Sequence, residues 1–242
     1  MDITKLTKPA RKLLPLKTCG AVIVAAGTAS RMGGIDKVMA MLGGEPMIAR
    51  TVRTFQECDA ISEIVIVTRE DLIIPITDIC RDMYASKVKA VVRGGSSRQE
   101  SVALGLNALS SKVKLTAIQD GARPLITWEV IDRTVRAANS YGAAAPAVPV
   151  KDTIKVVEGR IVKNTPDRAT LFAVQTPQVF DFDLLRGALR KAEQDGASIT
   201  DDCSAVERLG MSVKIVEGDE RNIKVTTPLD LKIAQILLEE EL

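Results

Sequence analysis

Short, continuously apolar runs alternate along this chain with stretches whose apolar residues recur at helical spacing, and no other feature restricts its folding as much. CGAVIVAA (19–26) is apolar throughout and is ended by Gly27, the pattern of a strand buried on both faces. PMIARTVRTF then sets Ile48, Val52 and Phe55 on one helical face. EIVIVT (63–68), KVKAVVR (87–93), KLTAIQD (114–120) and AAAPAVPV (143–150) predict further strands, the last tolerating proline only at its margins. Ser97 with Glu100 predicts a capping box opening a helix to about Leu109. Thr127 is expected to cap a helix with Ile131, Val135 and Ala138 on one face. DTIKVVEGRIVKNT (152–165) alternates, turns at Glu158-Gly159 and alternates again, which predicts a β-hairpin inserted in the series. Helices at about 182–194 and 202–209 and a strand at 212–217 follow. The last helix starts with Thr227 as cap, Pro228 at its first position and Asp230 at its third, with Ile233, Ile236 and Leu237 as its core face.

Strands alternating with helices imply an α/β fold with a mostly parallel sheet and helices on both faces. Ligands of such sheets bind at the carboxyl ends of the strands. A chain of 242 residues is long enough to bury a large core without staples. No linker divides it, so residues 19–242 are expected to form one domain, with the hairpin as an arm at about 150–172 and a basic extension over 1–18. That extension holds Lys5, Lys8, Arg11, Lys12 and Lys17 against Asp2 alone. It lacks the apolar stretch of a secretory signal, and its lack of serine sets it apart from an organelle transit peptide, so a solvated extension is expected. The net charge of +2 therefore sits at one end, and only 3% of residues are aromatic, which argues against a nucleic-acid binder. No apolar run is long enough to span a bilayer. Cys19, Cys58, Cys80 and Cys203 form no C-x-x-C pair and read as ordinary thiols of a reducing compartment.

The chain contains no histidine, which removes Ser-His-Asp and Cys-His nucleophiles, a His general base and His metal ligands. Chemistry must then rest on carboxylates, Lys, Arg, hydroxyls, thiols, backbone amides or a bound ion. The first strand ends in AAGTASRMGGIDK, a small, glycine-containing loop with Arg31 and Lys37. It reads either as a phosphate cradle or as a flexible connection. It is neither a G-x-G-x-x-G fingerprint nor a P-loop, since Gly27 is followed by Thr28-Ala29 and Gly33-Gly34 by Ile35-Asp36-Lys37. The strand ending in QDGARP offers Asp120 either for a Mg²⁺ shared with phosphates or as a cap of the next turn. Gly94-Gly95 suits either a flat base lying on the backbone or a tight turn. Arg168 and Lys224 suit either a second phosphate or solvent.

VIVAAGTASRMGG…DK, GGSSRQESVALGL, QDGARPLIT, AVPVKDTIK, ATLFAVQTPQVF, ITDDCSAVE and GDERNIKVTTPLDL, taken together, resemble the 2-C-methyl-D-erythritol 4-phosphate cytidylyltransferase family over residues 19 to about 240. The resemblance implies a Rossmann-like nucleotidyltransferase fold. It also implies a reaction in which CTP and a polyol phosphate give a CDP-polyol and pyrophosphate in non-mevalonate isoprenoid biosynthesis. By the same resemblance Ala25, Ala26 and Gly27 would offer backbone to the nucleotide, and Arg31 and Lys37 would hold the triphosphate and stabilise the transition state. Gly95, Ser96 and Ser101 would line the cytosine side. Asp120 would bind Mg²⁺, with Gly121 near the ribose. Arg123, Thr153 and Thr176 would shape the polyol-phosphate site, and Arg168 and Lys224 would position the nucleophile. The family exchanges its arm across a homodimer, which would carry Arg168 to the neighbouring site.

Two positions depart from the family pattern: Asp36 stands where proline is common, and Ser96 where some members carry an acidic residue. The ribitol-5-phosphate cytidylyltransferases share most of the motifs and are the alternative within the same chemistry. A dinucleotide-binding oxidoreductase fails on the first glycine loop. A noncatalytic nucleotide-binding module is opposed by the set Arg31, Lys37, Asp120, Arg168 and Lys224. The expected location is the cytoplasm rather than a plastid-type organelle.

Overall fold

The computed structural model describes residues 15–27 and 36–240. Most of the basic extension lies outside them, as does Arg31 with the rest of its loop. In chain order the elements are β1 (Cys19–Ala25), β2 (Met41–Leu42), β3 (Glu45–Pro46), α1 (Met47–Glu57), β4 (Glu63–Thr68), α2 (Ile73–Asp82), β5 (Val88–Arg93), α3 (Arg98–Ala108) and β6 (Leu115–Asp120). There follow α4 (Trp128–Tyr141), β7 (Ala143–Pro149), β8 (Val156–Glu158), β9 (Ile161–Asn164), β10 (Phe172–Val174), β11 (Gln178–Asp181), α5 (Phe182–Gln194), α6 (Asp202–Glu207), β12 (Lys214–Glu217) and α7 (Pro228–Glu239).

The main sheet has the order β10-β7-β11-β6-β1-β4-β5, with β12 also paired to β7. β1 is parallel to β4 and β6, β4 to β5, and β12 to β7; β10 and β11 are antiparallel to their neighbours. The fold is therefore α/β with a mostly parallel sheet, as the alternation predicts. β1, β4, β6 and most of β7 read as largely apolar runs because both their faces are covered, whereas β5, β10 and β12 are only partly buried or exposed. Ala21, Ile23 and Ala25 of β1 point into the core shared with α1, α2 and α4. Val22, between them, points into the core shared with α3, α5 and α6. Phe55 is fully buried at the end of the α1 stripe. Phe55→Ala is expected to destabilise the fold by about 3–5 kcal/mol, read as a lower urea midpoint. A loss under about 1 kcal/mol would mean the site collapses to fill the space.

Several local expectations are corrected. Pro146 lies in mid-strand, not at a margin of β7. It falls in the break between two ladders, since β7 pairs with β11 through Ala143 and Ala144 and with β10 from Ala147 on, while Val216 of β12 lies opposite it and the Pro146 carbonyl accepts the Gln175 N–H at 2.8 Å. β11, which carries Phe180 into the core, was not expected as a strand, and neither was α2 as a helix. Thr127 occupies the N-cap position of α4, but its side chain makes no capping bond. Glu100 does not return to Ser97; its carboxylate accepts from the N–H and O–H of Ser96, both at 2.7 Å. The hairpin turn is at Gly159-Arg160, both at positive φ (54° and 68°), the geometry a two-residue hairpin requires.

α7 begins as predicted, with Thr227 and Asp230 forming a reciprocal capping box and Pro228 at the first position. Its core face differs. Ala234 and Leu238 are buried, with Leu237 packed beside them, while Ile233 and Ile236 are 39% and 57% exposed. The helix lies on the small β2–β3 hairpin rather than on the main sheet, so a narrower face is covered. All four cysteines are free and buried, as the spacing predicts.

Candidate active site

Parallel strands bring their carboxyl ends to one edge of the sheet, and the loops after β1, β4, β5 and β6 meet there. β1 has β4 on one side and β6 on the other, so chain order reverses beside it and opens a crevice. A cavity of about 520 Å³ occupies this position. Ala25, Ala26, Gly27, Lys37, Gly95, Ser96, Ser101, Asp120 and Lys224 all line it, joined by Arg69, Ser97 and Arg98. Residues from distant parts of the sequence thus converge where the sheet geometry favours a ligand.

Small residues keep one wall flat. A Cβ on Gly94 would lie 2.5 Å from that of Ala26 and 2.9 Å from Ser101 Oγ, so the loop after β5 sits directly on the loop after β1. A Cβ on Gly95 would strike the Glu100 side chain, and the Gly95 N–H donates to Ser101 Oγ at 3.1 Å. This packing gives both glycines a reason to be present, and it leaves backbone rather than side chain facing the cavity. Gly121 is behind that wall. Its N–H donates to Val24 O at 2.9 Å, fastening the loop after β6 to β1.

The opposite wall is charged. Asp120 is 8% exposed at the end of β6. Lys224 Nζ lies 2.7 Å from Oδ2, Arg98 Nη2 3.7 Å from Oδ1, and Arg123 Nε 4.0 Å from Oδ2. Burial alone would raise the Asp120 carboxyl, but Lys224, then Arg98 and Arg123, outweigh it and hold it below the usual carboxylate range. Asp120 is therefore an anion at neutral pH. Burial depresses the Arg123 guanidinium, with Asp120 opposing. Behind Arg98 stands Asp202, fully buried at the start of α6, with Oδ2 at 2.7 Å from Arg98 Nη2. Burial pushes the Asp202 carboxyl up, and Arg98 works against it.

Lys224 arrives on an extended segment after β12. Val225 N–H donates to Ala122 O at 2.8 Å, laying this segment along the loop after β6. Two residues earlier Asn222, fully buried, donates to Thr176 O at 3.0 Å and accepts Arg123 Nη1 on its carbonyl at 2.6 Å. Thr176 Oγ1 in turn accepts the Asp120 N–H at 3.2 Å. Thr176 and Arg123 are therefore next to the Asp120 cluster, although neither lines the cavity.

Thr153 and Arg168 are not brought there. Both are exposed on the segment between β7 and β10 that carries the β8–β9 hairpin, and Arg168 donates to Lys151 O at 2.9 Å. Arg69 and Arg98 are the cavity cations that the sequence reading did not single out. Each has a positional signal: Arg69 directly follows β4, and Arg98 is the first residue of the helix after the Gly94-Gly95 loop. Among the described residues no three Cys, Asp or Glu side chains come together as a preformed metal cage.

A sequence model of the 2-C-methyl-D-erythritol 4-phosphate cytidylyltransferases matches residues 19–240. The protein of that name from Caldanaerobacter subterraneus subsp. tengcongensis is 44% identical over 225 residues, 90% of this chain and 97% of that protein. The one from Halalkalibacterium halodurans is 46% identical over 221 residues, 91% of this chain and 96% of the other. Among solved structures, the 4-diphosphocytidyl-2C-methyl-D-erythritol synthase of Anaerococcus prevotii superposes with a TM-score of 0.85 at 31% identity, covering 95% of this chain and all of that one. The 2-C-methyl-D-erythritol 4-phosphate cytidylyltransferase of Thermus thermophilus gives 0.74 at 32% identity, covering 90% and 98%.

Proposed function

This chain belongs to the 2-C-methyl-D-erythritol 4-phosphate cytidylyltransferase family, and from that premise we infer the chemistry of its cleft. It is a nucleotidyltransferase that joins CTP to 2-C-methyl-D-erythritol 4-phosphate, giving 4-diphosphocytidyl-2-C-methyl-D-erythritol and pyrophosphate in non-mevalonate isoprenoid biosynthesis. The relatives found name the erythritol substrate, which leaves ribitol 5-phosphate the less favoured acceptor.

The polyol phosphate has a second pKa of about 6, so it is largely ionised near neutrality and needs no general base. A chain without histidine suits that demand. One of its oxygens bonds to the α-phosphorus of CTP. The bond from that phosphorus to the bridging oxygen breaks, and the electron pair leaves with pyrophosphate. What the protein must supply is positive charge and alignment among anions that repel one another.

The observation that carries this reading is the meeting of Lys37, Arg98, Lys224 and Asp120 in one cavity, with Lys224 and Arg98 beside the Asp120 carboxylate and Lys37 over the glycine wall. Lys37 lies over Gly27, with Nζ 3.5 Å from where a Cβ there would be, and meets the triphosphate charge together with Arg31. Ala25, Ala26 and Gly27 receive the nucleotide, with Gly121 behind them supporting the ribose side. Gly95, Ser96 and Ser101 receive the base. Lys224 aligns the attacking phosphate, with Arg123 and Thr176 on the polyol side. Asp120 fits a Mg²⁺: it is one ionised carboxylate at the cavity edge, and among the described residues the cation nearest its Oδ1 is Arg98 at 3.7 Å. One carboxylate with phosphate oxygens and water is a donor set Mg²⁺ takes. Such an ion, when bound, neutralises phosphate charge.

Thr153 and Arg168 reach a site only if the hairpin segment is exchanged between two copies of the chain. Ile154, Val156, Val157, Ile161 and Val162 are exposed on this segment, which favours a covering partner and hence a homodimer. No helix among the described residues is long and apolar enough to cross a membrane. Release of pyrophosphate from CTP with each polyol phosphate tests the substrate. The erythritol compound is expected to be favoured in kcat/KM by at least about tenfold. Preference for ribitol 5-phosphate would replace the acceptor, and CTP binding without turnover would replace the enzyme with a nucleotide-binding module.

A further inference from the structure

We infer that Arg69 masks the Asp36 carboxylate next to Lys37 and keeps it from competing for the Lys37 ammonium, while Asp36 caps the turn that carries Lys37. This rests on the role proposed above for Lys37. The pair joins two strand ends. Asp36 opens a short 3-10 turn (Lys37–Met39), and Arg69 is the first residue after β4.

Each Asp36 oxygen has a separate task. Oδ1 accepts the Val38 N–H at 3.0 Å and so fixes the turn in which Lys37 is the first residue. Oδ2 is ion-paired with Arg69 Nη1. On the other side of Lys37, Val38 is buried in the main core. Lys37 therefore stands between an anchored carboxylate and an anchored valine, with little freedom left in its backbone. Arg69 is itself held: its Nε and Nη2 grip Asp71 at 3.0 and 2.8 Å. The side chains of Asp36 and Arg69 are only 15% and 29% exposed, so the pair is less screened than an ordinary surface bridge.

The arrangement has an electrostatic consequence. Asp36 adjoins the cation that must attract a triphosphate. Left unpaired, its carboxylate would pull on Lys37 and repel the nucleotide. Paired with Arg69, it acts as a cap and anchor instead. A bond that merely stiffened the fold would make each loss harmful and both losses at least as harmful. A pair that masks a charge behaves differently, because removing the second member cures the exposure caused by removing the first.

The experiment is a double-mutant cycle on the full-length enzyme, with steady-state pyrophosphate release and Tm measured for Arg69→Met, Asp36→Asn and the double variant. Arg69→Met is expected to raise KM for CTP about tenfold with KM for the polyol phosphate unchanged. Asp36→Asn keeps a capping oxygen and is expected to change KM for CTP by less than about threefold. The double variant is expected to return to within about threefold of wild type, a coupling opposite in sign to additive damage. A double variant as impaired as Arg69→Met, or an Arg69→Met enzyme with normal KM at unchanged Tm, overturns the inference. Lys37→Ala, assayed alongside, separates this from the role of Lys37: if it retains full activity, that role fails first.

Discussion

Replacing Lys37 with alanine is expected to lower kcat for pyrophosphate release by on the order of 10²–10³, the usual loss on removing one preorganised charge-stabilising donor. The effect should fall on kcat at least as strongly as on KM for CTP. Charge on the bridging oxygen grows as pyrophosphate departs, so a fixed ammonium gains more in the transition state than in the ground state. The geometry supports a fixed ammonium. Lys37 leads a turn capped by Asp36 and anchored by Val38, and its Nζ lies over Gly27, 3.5 Å from where a Cβ there would be. Lys37→Arg keeps the charge but changes its shape and reach, so only partial recovery is expected. A Lys37→Ala enzyme with wild-type kcat would remove this residue from the mechanism.

The second large effect is expected from Arg168→Ala. It should lower kcat/KM for the polyol phosphate by about 10²-fold, the scale of losing one partner of a close charge pair, and change KM for CTP by less than about threefold. Arg168 is exposed and outside the cavity of its own chain, so the prediction depends on arm exchange. Mixing tests that dependence directly. Lys37→Ala and Arg168→Ala subunits, unfolded together and refolded as a mixture, would form hybrid dimers in which one site carries both changes and the other carries neither. About a quarter of wild-type activity should return, the statistical share of intact sites in a two-fold dimer. No recovery beyond the sum of the two parents would place Arg168 with its own chain's cleft, and selective loss of CTP affinity would assign it to the nucleotide.

Much of the fold was legible because burial on both faces leaves a direct mark on composition. EIVIVT is β4 at the boundaries read from the sequence, and the Thr227-Pro228-Asp230 signal starts α7 as predicted. The segments that were missed lack such a mark. β11 is QVFD, four residues whose strand character comes from pairing with β6 and β7 rather than from any alternation of their own. Pro146 would ordinarily argue against a central strand, and only the break between β10 and β11 makes its place intelligible. Ile233 and Ile236 satisfied the helical period but lie on the uncovered face, since period gives spacing and not which side meets a neighbour.

The site divides in the same way. Asp120, Gly27 and Gly95 follow directly after or at the ends of parallel strands, so a loop inventory finds them. Arg69 and Arg98 occupy equivalent places, yet a single cation beside a strand has no signature until the topology sets it next to others. Asp202 is harder still. Its link to the cleft runs through Arg98 and a helix more than a hundred residues further along the chain, and nothing local in ITDDCSAVE announces it. The setting of Asp36 also becomes visible only in three dimensions, because its partner Arg69 is far from it in sequence.

The bond from Val225 to Ala122 bears on how the protein is made. Every strand that frames the crevice, from β1 to β11, emerges from the ribosome before Lys224 does. A growing chain can therefore assemble most of its sheet, with Asp120 already at the strand end, while the cation that faces that carboxylate is still inside the exit tunnel. Until that stretch is made, such a chain holds a nucleotide-shaped crevice whose edge carboxylate has Arg98 and Arg123 beside it but lacks its nearest cation. The cleft is completed only when the stretch after β12 lies along the loop after β6 and α7 docks on the β2–β3 hairpin. Unfinished polypeptides should bind triphosphate poorly, and the cell is spared partial enzymes that sequester CTP.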